Sequence, residues 1–478
     1  MSHETEDGIP SHVERAATVG EVAEAMRHAA AEHQAVVPRG LGTKLHWGSP
    51  PRGAALVLDV NGVNDTLDHV PDDMIVTASA GVSIRDLVDV LAEHGQQLAI
   101  DVCGYDDGAP AGFGTVGGLL STACDGARRW GYGAARDLLL GIEMVRADGE
   151  IAHAGGRVVK NVAGYDLGKL STGAYGTLGI LTQATFRVHP LPEATAFVVL
   201  DAADPETACR RAADILDSQL APVAVDVEHH NGTASVAAMF EGSAAGVRSR
   251  AEAAATLSDG EVADAAPEWF NRMPLGPADT LLRVALPPAE VARLCHTASA
   301  LAEKHEVPSG VRGSAGTGIL YCALPRDTAV ETVAAFLADL RQSLAPRRES
   351  PASGESGGAR RSRPDAAADR RERPFGADGS GGGSGGSSGY ITGRHTAADQ
   401  GFLASGGNAR ARGRGAAAGG GAVTPGGYVT VRHAPAEVRR AVDVWGPSDP
   451  GARALAASIK RQFDPDELLS PGRMGEEA

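Results

Sequence analysis

Apolar residues recur at two spacings along this chain, and the change from one spacing to the other predicts a mixed α+β protein. In the N-terminal part, helical spacing follows the capping-box pattern Thr18–Glu21, and a second helix is predicted from Ser83 to its stop at Gly95. Strands are predicted at Ala35–Pro38, Leu56–Asp59, Met74–Ala78, Leu139–Arg146, Glu150–Ala154 and Leu178–Val188. Asp148-Gly149 between two of these strands is a strong hairpin signal.

A second α+β region is predicted after Pro190. Its strands are expected at Ala196–Leu200, Val223–Val227, Ala234–Phe240, Leu281–Ala285 and Gly318–Ala323, and its helices at about 205–218, 244–257, 288–304 and 328–343. Strands and helices mixed in this way favour an antiparallel sheet with helices on one face, and they do not alternate as in a doubly wound sheet.

Residues 346–426 break this pattern. They consist mostly of Ser, Gly, Ala and Arg, with too little apolar material to offset the entropy of ordering, so we expect a disordered insertion. An Arg-Gly segment can contact RNA, but the aromatic residues that would stack on bases are not interleaved here.

Size and charge limit the class of protein. The 478 residues suffice for two to three domains, and 43% hydrophobic content is typical of a globular protein. No apolar run reaches eighteen residues and the first ten residues are polar and acidic, so we expect a cytoplasmic protein without direct membrane insertion. The net charge of −16 argues against nucleic-acid binding.

The five cysteines are widely spaced and form no Cys-x-x-Cys pair, which argues against a disulfide framework and against an iron–sulfur site. We expect single buried thiols, so an onward electron carrier would lie on another chain. Adjacent His229 and His230 on a strand face opposite ways and cannot readily bind one metal, and no metal site is predicted.

Three glycine-rich segments in the N-terminal half are the strongest functional signal. They are Pro38–Lys44, Ala111–Gly118 and Gly155–Ile180. Glycine costs backbone entropy and is concentrated where a chain turns tightly or a ligand approaches the main chain. Successive N–H groups in such turns form an anion nest, to which Thr43, Lys44 and Thr115 can add side-chain donors.

The order of these motifs resembles the FAD-binding domain of the vanillyl-alcohol oxidase (PCMH-type) superfamily. The motifs are Pro-Arg-Gly-x-Gly-Thr from Pro38, Gly-Thr-x-Gly-Gly from Gly114, Asn-Val-Ala-Gly-Tyr-Asp from Asn161 and Gly-x-x-Gly-Thr-Leu-Gly-Ile from Gly173. Phe463-Asp464-Pro465 and Ser470–Met474 look like the closing signature of that superfamily. Segments 160–166 and 441–447 look most like the FAD-binding E subunit of bacterial glycolate oxidase, and the resemblance covers residues 15–345 and 427–475.

The resemblance implies one FAD, with its pyrophosphate over the first two segments and its adenine and ribose near 161–166 and 173–180. The residues expected to bind it are Pro38, Arg39, Gly40, Leu41, Gly42, Thr43, Lys44, Gly114, Thr115, Gly117, Gly118, Asn161, Ala163, Gly164, Tyr165, Asp166, Gly173, Gly176, Thr177, Gly179 and Ile180. The first turn lacks the histidine of covalent members, so we expect non-covalent FAD and a loop role for the nearby His46.

The resemblance also implies a domain division. Residues 15–190 would form the FAD-binding domain and 191–445 a cap domain that shapes the substrate pocket, interrupted by the insertion at 346–426. Residues 446–478 would return to the FAD-binding domain. Gly313–Gly318 before a strand is interpreted as a plain loop rather than a ligand contact, and Trp269 and Trp445 as core aromatics.

The activity implied is oxidation of glycolate or a related small 2-hydroxy acid by hydride transfer to flavin N5. Arg283 and Arg473 are candidate pocket residues, and the sequence identifies no catalytic residue. One alternative is an FAD-binding companion subunit, with little activity alone, that acts with a second flavin subunit and an iron–sulfur subunit. The other is an NADPH-dependent flavoprotein reductase of the same fold. A Rossmann site, a phosphate-binding loop and a Gly-x-Ser-x-Gly nucleophile elbow are not supported.

Overall fold

The N-terminal part of the chain, in a computed structural model, combines three sheets with short helices. The structure describes residues 9, 12–101, 104–105, 114–157, 165–230, 232–274, 276, 279–348, 423–424 and 426–475. Its elements up to residue 190 are β1 (Val13–Arg15), α1 (Val19–Ala31), β2 (Ala35–Arg39), β3 (Ala54–Asp59), β4 (Leu67–Val70), β5 (Ile75–Ser79), α2 (Ile84–Ala92), β6 (Gln96–Gln97), β7 (Gly104–Tyr105), α3 (Val116–Thr122), α4 (Arg129–Tyr132), α5 (Ala135–Leu138), β8 (Leu139–Val145), β9 (Ile151–Gly155), α6 (Leu167–Ser171), β10 (Ile180–Arg187) and β11 (His189–Pro190).

Most of the remaining elements build one large sheet and its helices. They are β12 (Ala194–Ala202), α7 (Pro205–Asp217), β13 (Ala224–His230), β14 (Thr233–Gly242), α8 (Ala244–Ser258), β15 (Glu261–Ala263), β16 (Arg272–Met273), β17 (Thr280–Ala285), α9 (Val291–His305), β18 (Gly310–Ser314), β19 (Ile319–Leu324), α10 (Val330–Ser343), β20 (Arg347–Arg348), β21 (Val423–Thr424), β22 (Tyr428–His433), α11 (Ala436–Ala441) and α12 (Pro450–Phe463). Outside the large sheet, β16 pairs with β7 and β20 pairs with β21. Single 3-10 turns lie at Pro71–Asp73 and Pro288–Glu290.

The N-terminal sheets differ in strand direction. Strands β1, β3 and β2 form a three-stranded parallel sheet, and β4-β5-β10-β8-β9 form a five-stranded antiparallel sheet. Helix α1 begins at the predicted cap, where Thr18 Oγ1 accepts from the N–H of Glu21 at 3.2 Å. The Glu21 carboxylate accepts a hydrogen bond from the N–H of Ala17 at 2.7 Å. In the usual capping box the acidic residue accepts from the N–H of the cap residue itself, one position later.

The C-terminal part is an eight-stranded antiparallel sheet in the order β15-β12-β14-β13-β18-β19-β17-β22. Successive side chains of each strand point to opposite faces of this sheet, so neighbouring residues belong to two different hydrophobic cores. On β17 and β19, Leu282 and Leu320 belong to the core shared with helices α7–α10. Leu281 and Tyr321 belong to the core shared with the five-stranded sheet. One face is therefore covered by helices and the other faces the N-terminal part.

The predicted α+β class with antiparallel sheets is confirmed, and the five strands predicted after Pro190 form within three residues of their expected bounds. The interpretation of Gly313–Gly318 as a plain loop is wrong in part, because Gly313 and Ser314 end strand β18, which pairs with both β13 and β19. The insertion predicted at 346–426 lies outside the described residues except for 346–348, 423–424 and 426.

The C-terminal segment adds to the parallel sheet of the N-terminal part. Leu469 forms a parallel bridge with Val36 of β2. The N–H of Val36 donates to the Leu468 carbonyl at 2.7 Å, and the N–H of Ser470 donates to the Val36 carbonyl at 2.9 Å. This pairing fixes the backbone that follows, which includes Arg473.

Candidate functional site

The first predicted glycine-rich segment and parts of the other two converge on one pocket in the N-terminal part. The pocket encloses about 710 Å³, including its opening to solvent. It is lined by Pro38, Arg39, Gly40, Leu41, Gly42, Thr43, Lys44, Leu45, Val60, Ala80, Thr115, Gly117, Gly118, Ser121, Thr122, Tyr175, Gly176, Gly179, Ile180, Leu181 and Arg473. A cavity of this size accommodates an organic cofactor, and we call it the first pocket.

The turn after β2 offers main-chain donors to the first pocket. The N–H groups of Leu41, Gly42 and Thr43 donate to no other residue in the described part of the chain. Successive donors of this kind suit phosphate oxygens. The Arg39 guanidinium is bound to Asp59 at 2.6 Å, so it braces the ends of β2 and β3.

The described end of the second segment has its main-chain donors already bound. The N–H of Val116 donates to the Val82 carbonyl at 3.0 Å and that of Gly117 to the Ala80 carbonyl at 2.9 Å. The N–H of Gly118 donates to Thr115 Oγ1 at 3.2 Å, as part of the cap of α3. Gly117 and Gly118 therefore form part of the pocket wall without open N–H groups, and residues 111–113 of the expected nest lie outside the described residues.

Close approach between segments explains two of the glycines. A Cβ on Gly40 would lie 2.6 Å from Thr115 Oγ1, and a Cβ on Gly176 would lie 2.8 Å from Pro38 Cγ. Gly176 also has φ +72°, which other residues rarely adopt. Gly118 differs, because a Cβ there would meet only Thr115 Oγ1, at 3.5 Å. Gly40 and Gly176 hold the segments together, whereas Gly118 leaves space in the pocket.

Two cationic side chains border the first pocket. Lys44 is 8% exposed, and burial lowers the pKa of its ammonium group. Arg473 is 4% exposed and its Nη2 donates to the Leu45 carbonyl at 2.6 Å. Both charges lie next to the turn with open N–H groups, which favours a negatively charged ligand there.

A polar cluster lies behind this wall, where the N-terminal part meets the large sheet. Arg432 of β22 is 7% exposed, and its Nη1 donates to the Tyr175 hydroxyl at 3.2 Å. Its guanidinium carbon lies 4.2 Å from the centroid of the Trp47 ring, a cation–π contact. Its Nε and Nη2 have no hydrogen-bond partner among the described residues. Burial raises the pKa of the nearby Cys124 thiol, so this cysteine is a neutral neighbour.

A second pocket of about 360 Å³ opens beyond α3, against the same face of the large sheet. Its polar lining includes Asp125, Arg129, Asp226, Arg272 and Tyr321. None of these was among the predicted site residues. They come from α4, β13, β16, β19 and the loop after α3, so no local motif could have indicated them.

The comparison with family models concerns the part of the chain that contains the first pocket. Residues 10–155 match the family described as FAD binding domain. This part of the chain is an FAD-binding domain. The resemblance read from the glycine-rich motifs is thereby confirmed. The open N–H groups of the 41–43 turn, the space at Gly118 and the two cations fit the phosphates of FAD.

Several proteins of known name are similar to the chain. It is 32% identical over 196 residues to glycolate oxidase subunit GlcD of Bacillus subtilis, covering 41% of this chain and 40% of that protein. It is 33% identical over 172 residues to glycolate oxidase subunit GlcE of Escherichia coli, covering 36% of this chain and 47% of that protein. It is 35% identical over 155 residues to D-lactate dehydrogenase of Archaeoglobus fulgidus, covering 32% of this chain and 33% of that protein. The chain thus spans less than half of the length of each of these relatives.

A solved structure supports the fold beyond the FAD-binding domain. The chain matches an alkyldihydroxyacetonephosphate synthase with a TM-score of 0.54 at 17% identity, over 69% of this chain and 70% of that one. This match covers more of the chain than the family model does, so the shared fold extends beyond residues 10–155.

Five of the predicted cofactor-binding residues that the structure describes do not line the first pocket. They are Gly114, Tyr165, Asp166, Gly173 and Thr177. The predicted residues Asn161, Ala163 and Gly164 lie outside the described residues. Tyr165 is 94% exposed, Asp166 caps α6 by accepting from the N–H of Lys169 at 3.0 Å, and Thr177 Oγ1 donates to the Ala174 carbonyl at 2.6 Å. The N–H of Gly173 donates to the Leu120 carbonyl at 2.9 Å, and the carbonyl of Gly114 accepts from Ile84 at 3.1 Å.

The histidines singled out in the sequence lie apart from the first pocket. The His46 ring packs at 5.4 Å from that of His433 and does not line the pocket. His229 is buried and contacts Ser299 Oγ at 2.8 Å, whereas His230 is exposed, so they face opposite ways as expected. No group of three or more His, Cys, Asp or Glu among the described residues is placed to hold a metal ion.

The remaining candidates have structural contacts. Trp445 Nε1 donates to the Arg473 carbonyl at 3.1 Å, and its ring packs against Tyr175. Trp269 packs against Phe270. Arg283 is a half-buried residue of β17 in the large sheet, and desolvation lowers the pKa of its guanidinium. Arg473, a candidate for the substrate pocket, lines the first pocket. Across the described residues, no helix is both long and apolar enough to cross a membrane.

Proposed function

We propose that this protein is an FAD-dependent oxidoreductase that oxidises a small 2-hydroxy acid such as glycolate. The observation that carries the proposal is the junction of the FAD-binding pocket with the buried cluster of Lys44 and Arg432. The names of the similar proteins, glycolate oxidase subunits and a D-lactate dehydrogenase, favour this substrate class.

The residues of the first pocket would hold FAD without a covalent bond. The turn at Leu41–Thr43 and the cations Lys44 and Arg473 would hold the pyrophosphate, and Gly118 would leave room for it. No histidine or cysteine is among the described residues that line the pocket. Acid precipitation should therefore release the flavin into solution, whereas flavin retained on the precipitated chain would contradict non-covalent binding.

Bound FAD supplies the acceptor for the hydride that leaves the hydroxy acid. The chain itself would position the substrate and balance its charge. Arg432, whose Nε and Nη2 have no partner in the described part of the chain, is placed to donate to an anionic or carbonyl oxygen. Removal of these donors would leave a buried acceptor on the ligand unsatisfied.

Anaerobic mixing separates the proposed reaction from the NADPH-dependent alternative. The purified, FAD-loaded chain is mixed with glycolate, D-lactate or NADPH and its flavin absorbance is followed. We expect bleaching by a hydroxy acid and none by NADPH. Bleaching by NADPH alone would replace the proposal with a reductase.

The second candidate function is that of an FAD-binding companion subunit with little activity alone. It is favoured by the lack of a metal-ligand group among the described residues, in which Cys124, Cys209, Cys295 and Cys322 are free thiols. A second flavin subunit and an iron–sulfur subunit would then complete a glycolate oxidase-like complex. Turnover that appears only on co-expression with such partners would support this role, and full turnover by the pure chain would exclude it.

Each of the predicted domains would have its own role. Residues 15–190 would bind FAD, 191–445 would form the cap over the substrate, and 446–478 would close the FAD-binding pocket through Arg473. The pairing of Leu469 with Val36 supports this last assignment.

A further inference from the structure

The second pocket is separate from the pocket assigned to FAD, yet it lies on the same side of the large sheet. The residues that line it are Asp125, Gly126, Ala127, Arg129, Asp226, Asn271, Arg272, Gly313, Ser314, Ile319 and Tyr321. No residue is shared with the first pocket. The polar core around Lys44, Cys124 and Asp125 lies between the two.

Asp226 is the most unusual group in this pocket. It is on β13, in the middle of the eight-stranded sheet, and is only 3% exposed. Its Oδ1 has no hydrogen-bond partner among the described residues. A buried carboxyl oxygen without a partner costs stability, so it marks a position where a ligand can supply the missing hydrogen bond.

Cationic groups share the lining with it. Arg129 forms an ion pair with Asp125, and Arg272 is on the short strand β16. Arg312 of β18, bound to Glu228, is a further charge near Asp226. When Asp226 is protonated, the lining therefore carries two guanidinium groups and one carboxylate, which favours an anionic ligand.

We propose that this pocket binds a small organic carboxylate, held by the guanidinium groups of Arg129 and Arg272, with Asp226 hydrogen-bonded to the ligand. Asp226 donates to the bound carboxylate when protonated. The pocket volume suits a ligand of a few heavy atoms. The identification of this carboxylate with the substrate rests on the proposed function, whereas the binding itself does not.

The protonation of Asp226 provides a specific test. Burial, followed by the charge of Asp101, raises the pKa of Asp226 to about 7, against the smaller effects of the Asn271 N–H and Arg312. Asp125, Arg129, Arg272 and Tyr321 are the other ionisable groups of the lining. Above this pKa the ligand meets a second negative charge. Binding of the carboxylate should therefore take up one proton, and the affinity should fall as the pH rises.

Titration calorimetry with oxalate, which has no hydroxyl group to oxidise, tests the proposal on the FAD-loaded chain. Between pH 7 and pH 9 we expect the Kd of the wild-type protein to increase about tenfold per pH unit, as one coupled proton requires. Asp226→Asn should bind with a Kd that changes less than about twofold over this range. Asp201→Asn, the same change on an exposed position of β12, is the matched control and should behave as wild type.

The expected effect of Arg272→Gln is weaker oxalate binding at every pH, by about tenfold or more. This variant keeps the proposal testable even if Asp226→Asn does not fold. Oxalate binding that is absent in wild type, or that keeps its pH dependence in Asp226→Asn, would overturn the proposal. Oxalate binding as described, with no flavin bleaching by any hydroxy acid, would overturn only the proposed reaction.

Discussion

The Lys460 ammonium group donates a 2.9 Å hydrogen bond to the carbonyl oxygen of Thr177, which lies 283 positions earlier in the chain. Lys460 also donates to the Leu469 carbonyl at 2.9 Å and is paired with Asp464. The Asp464 carboxylate accepts from the N–H groups of Leu468 and Leu469 at 2.9 and 2.8 Å. This buried pair attaches the C-terminal segment to the N-terminal part of the chain and thereby positions Arg473.

Lys460→Met should destabilise the protein by about 3–5 kcal/mol, because it leaves the fully buried Asp464 carboxylate without its counter-charge. Denaturant unfolding of the FAD-free chain measures this free energy. Lys169→Met, which removes an exposed pair with Asp166, is the control and should cost less than about 1 kcal/mol. Equal effects of the two substitutions would refute a special role for the buried pair.

Gly118→Leu should weaken FAD binding by about a hundredfold or more without destabilising the FAD-free chain. A Cβ at this position would meet only Thr115 Oγ1, at 3.5 Å, and leucine favours the helix over glycine by roughly 0.8 kcal/mol. Fluorescence titration gives the FAD affinity and thermal unfolding the stability. Gly20→Leu, an exposed glycine in α1, should leave FAD affinity unchanged. Wild-type affinity in Gly118→Leu would show that FAD lies elsewhere.

Arg473→Met should reduce FAD affinity by about tenfold or more, since it removes a buried cation at the pocket. The affinity should also lose much of its dependence on ionic strength, which a purely structural role of Arg473 would not change. Titrations at low and high salt measure both effects. Arg461→Met, an exposed arginine of α12, is the control. An unchanged salt dependence in Arg473→Met would argue against contact with the phosphates.

The elements that the sequence predicted well are those with local signals. Ser83 caps α2 by accepting from the N–H of Asp86 at 3.0 Å, and Asp148-Gly149 connects β8 to β9 as a hairpin. The turn at Pro38–Lys44, which lines the first pocket, also had a local signal, because its glycines and its donors are consecutive. Such features depend on neighbouring residues, so a single sequence contains the necessary information.

The missed features depend on distant contacts. Gly313 was interpreted as part of a loop because glycine is rare in strands, but the partner strand leaves no room for a side chain there. A Cβ at Gly313 would lie 2.5 Å from the Ile319 carbonyl oxygen. Likewise, the N–H of Gly117, expected to be an open donor, donates to the Ala80 carbonyl. Asp226, Arg129 and Arg272 line one pocket only after the chain has folded.

Asp226→Asn should make the ligand-free protein more stable than wild type at neutral pH. In the unfolded chain an aspartate has a pKa of about 3.9, whereas burial raises the pKa of Asp226 to about 7 in the folded chain. Between these two values the folded state binds more protons, so wild-type stability falls as the pH rises. The loss is about 1.4 kcal/mol per pH unit and about 4 kcal/mol in total, and the neutral asparagine avoids it.

Chemical denaturation of both proteins from pH 4 to pH 8 measures this difference. The variant should be close to wild type at pH 4, gain steadily to pH 7 and keep a constant advantage above it. His433 acts in the opposite sense, because burial lowers its pKa to about 3 and its protonation in the unfolded chain reduces stability as the pH falls below about 6.5. Both proteins share that histidine, so its effect cancels in the difference, as it does for the control Asp201→Asn. A stability difference that stays constant with pH would show that the Asp226 carboxyl is ionised in the folded protein.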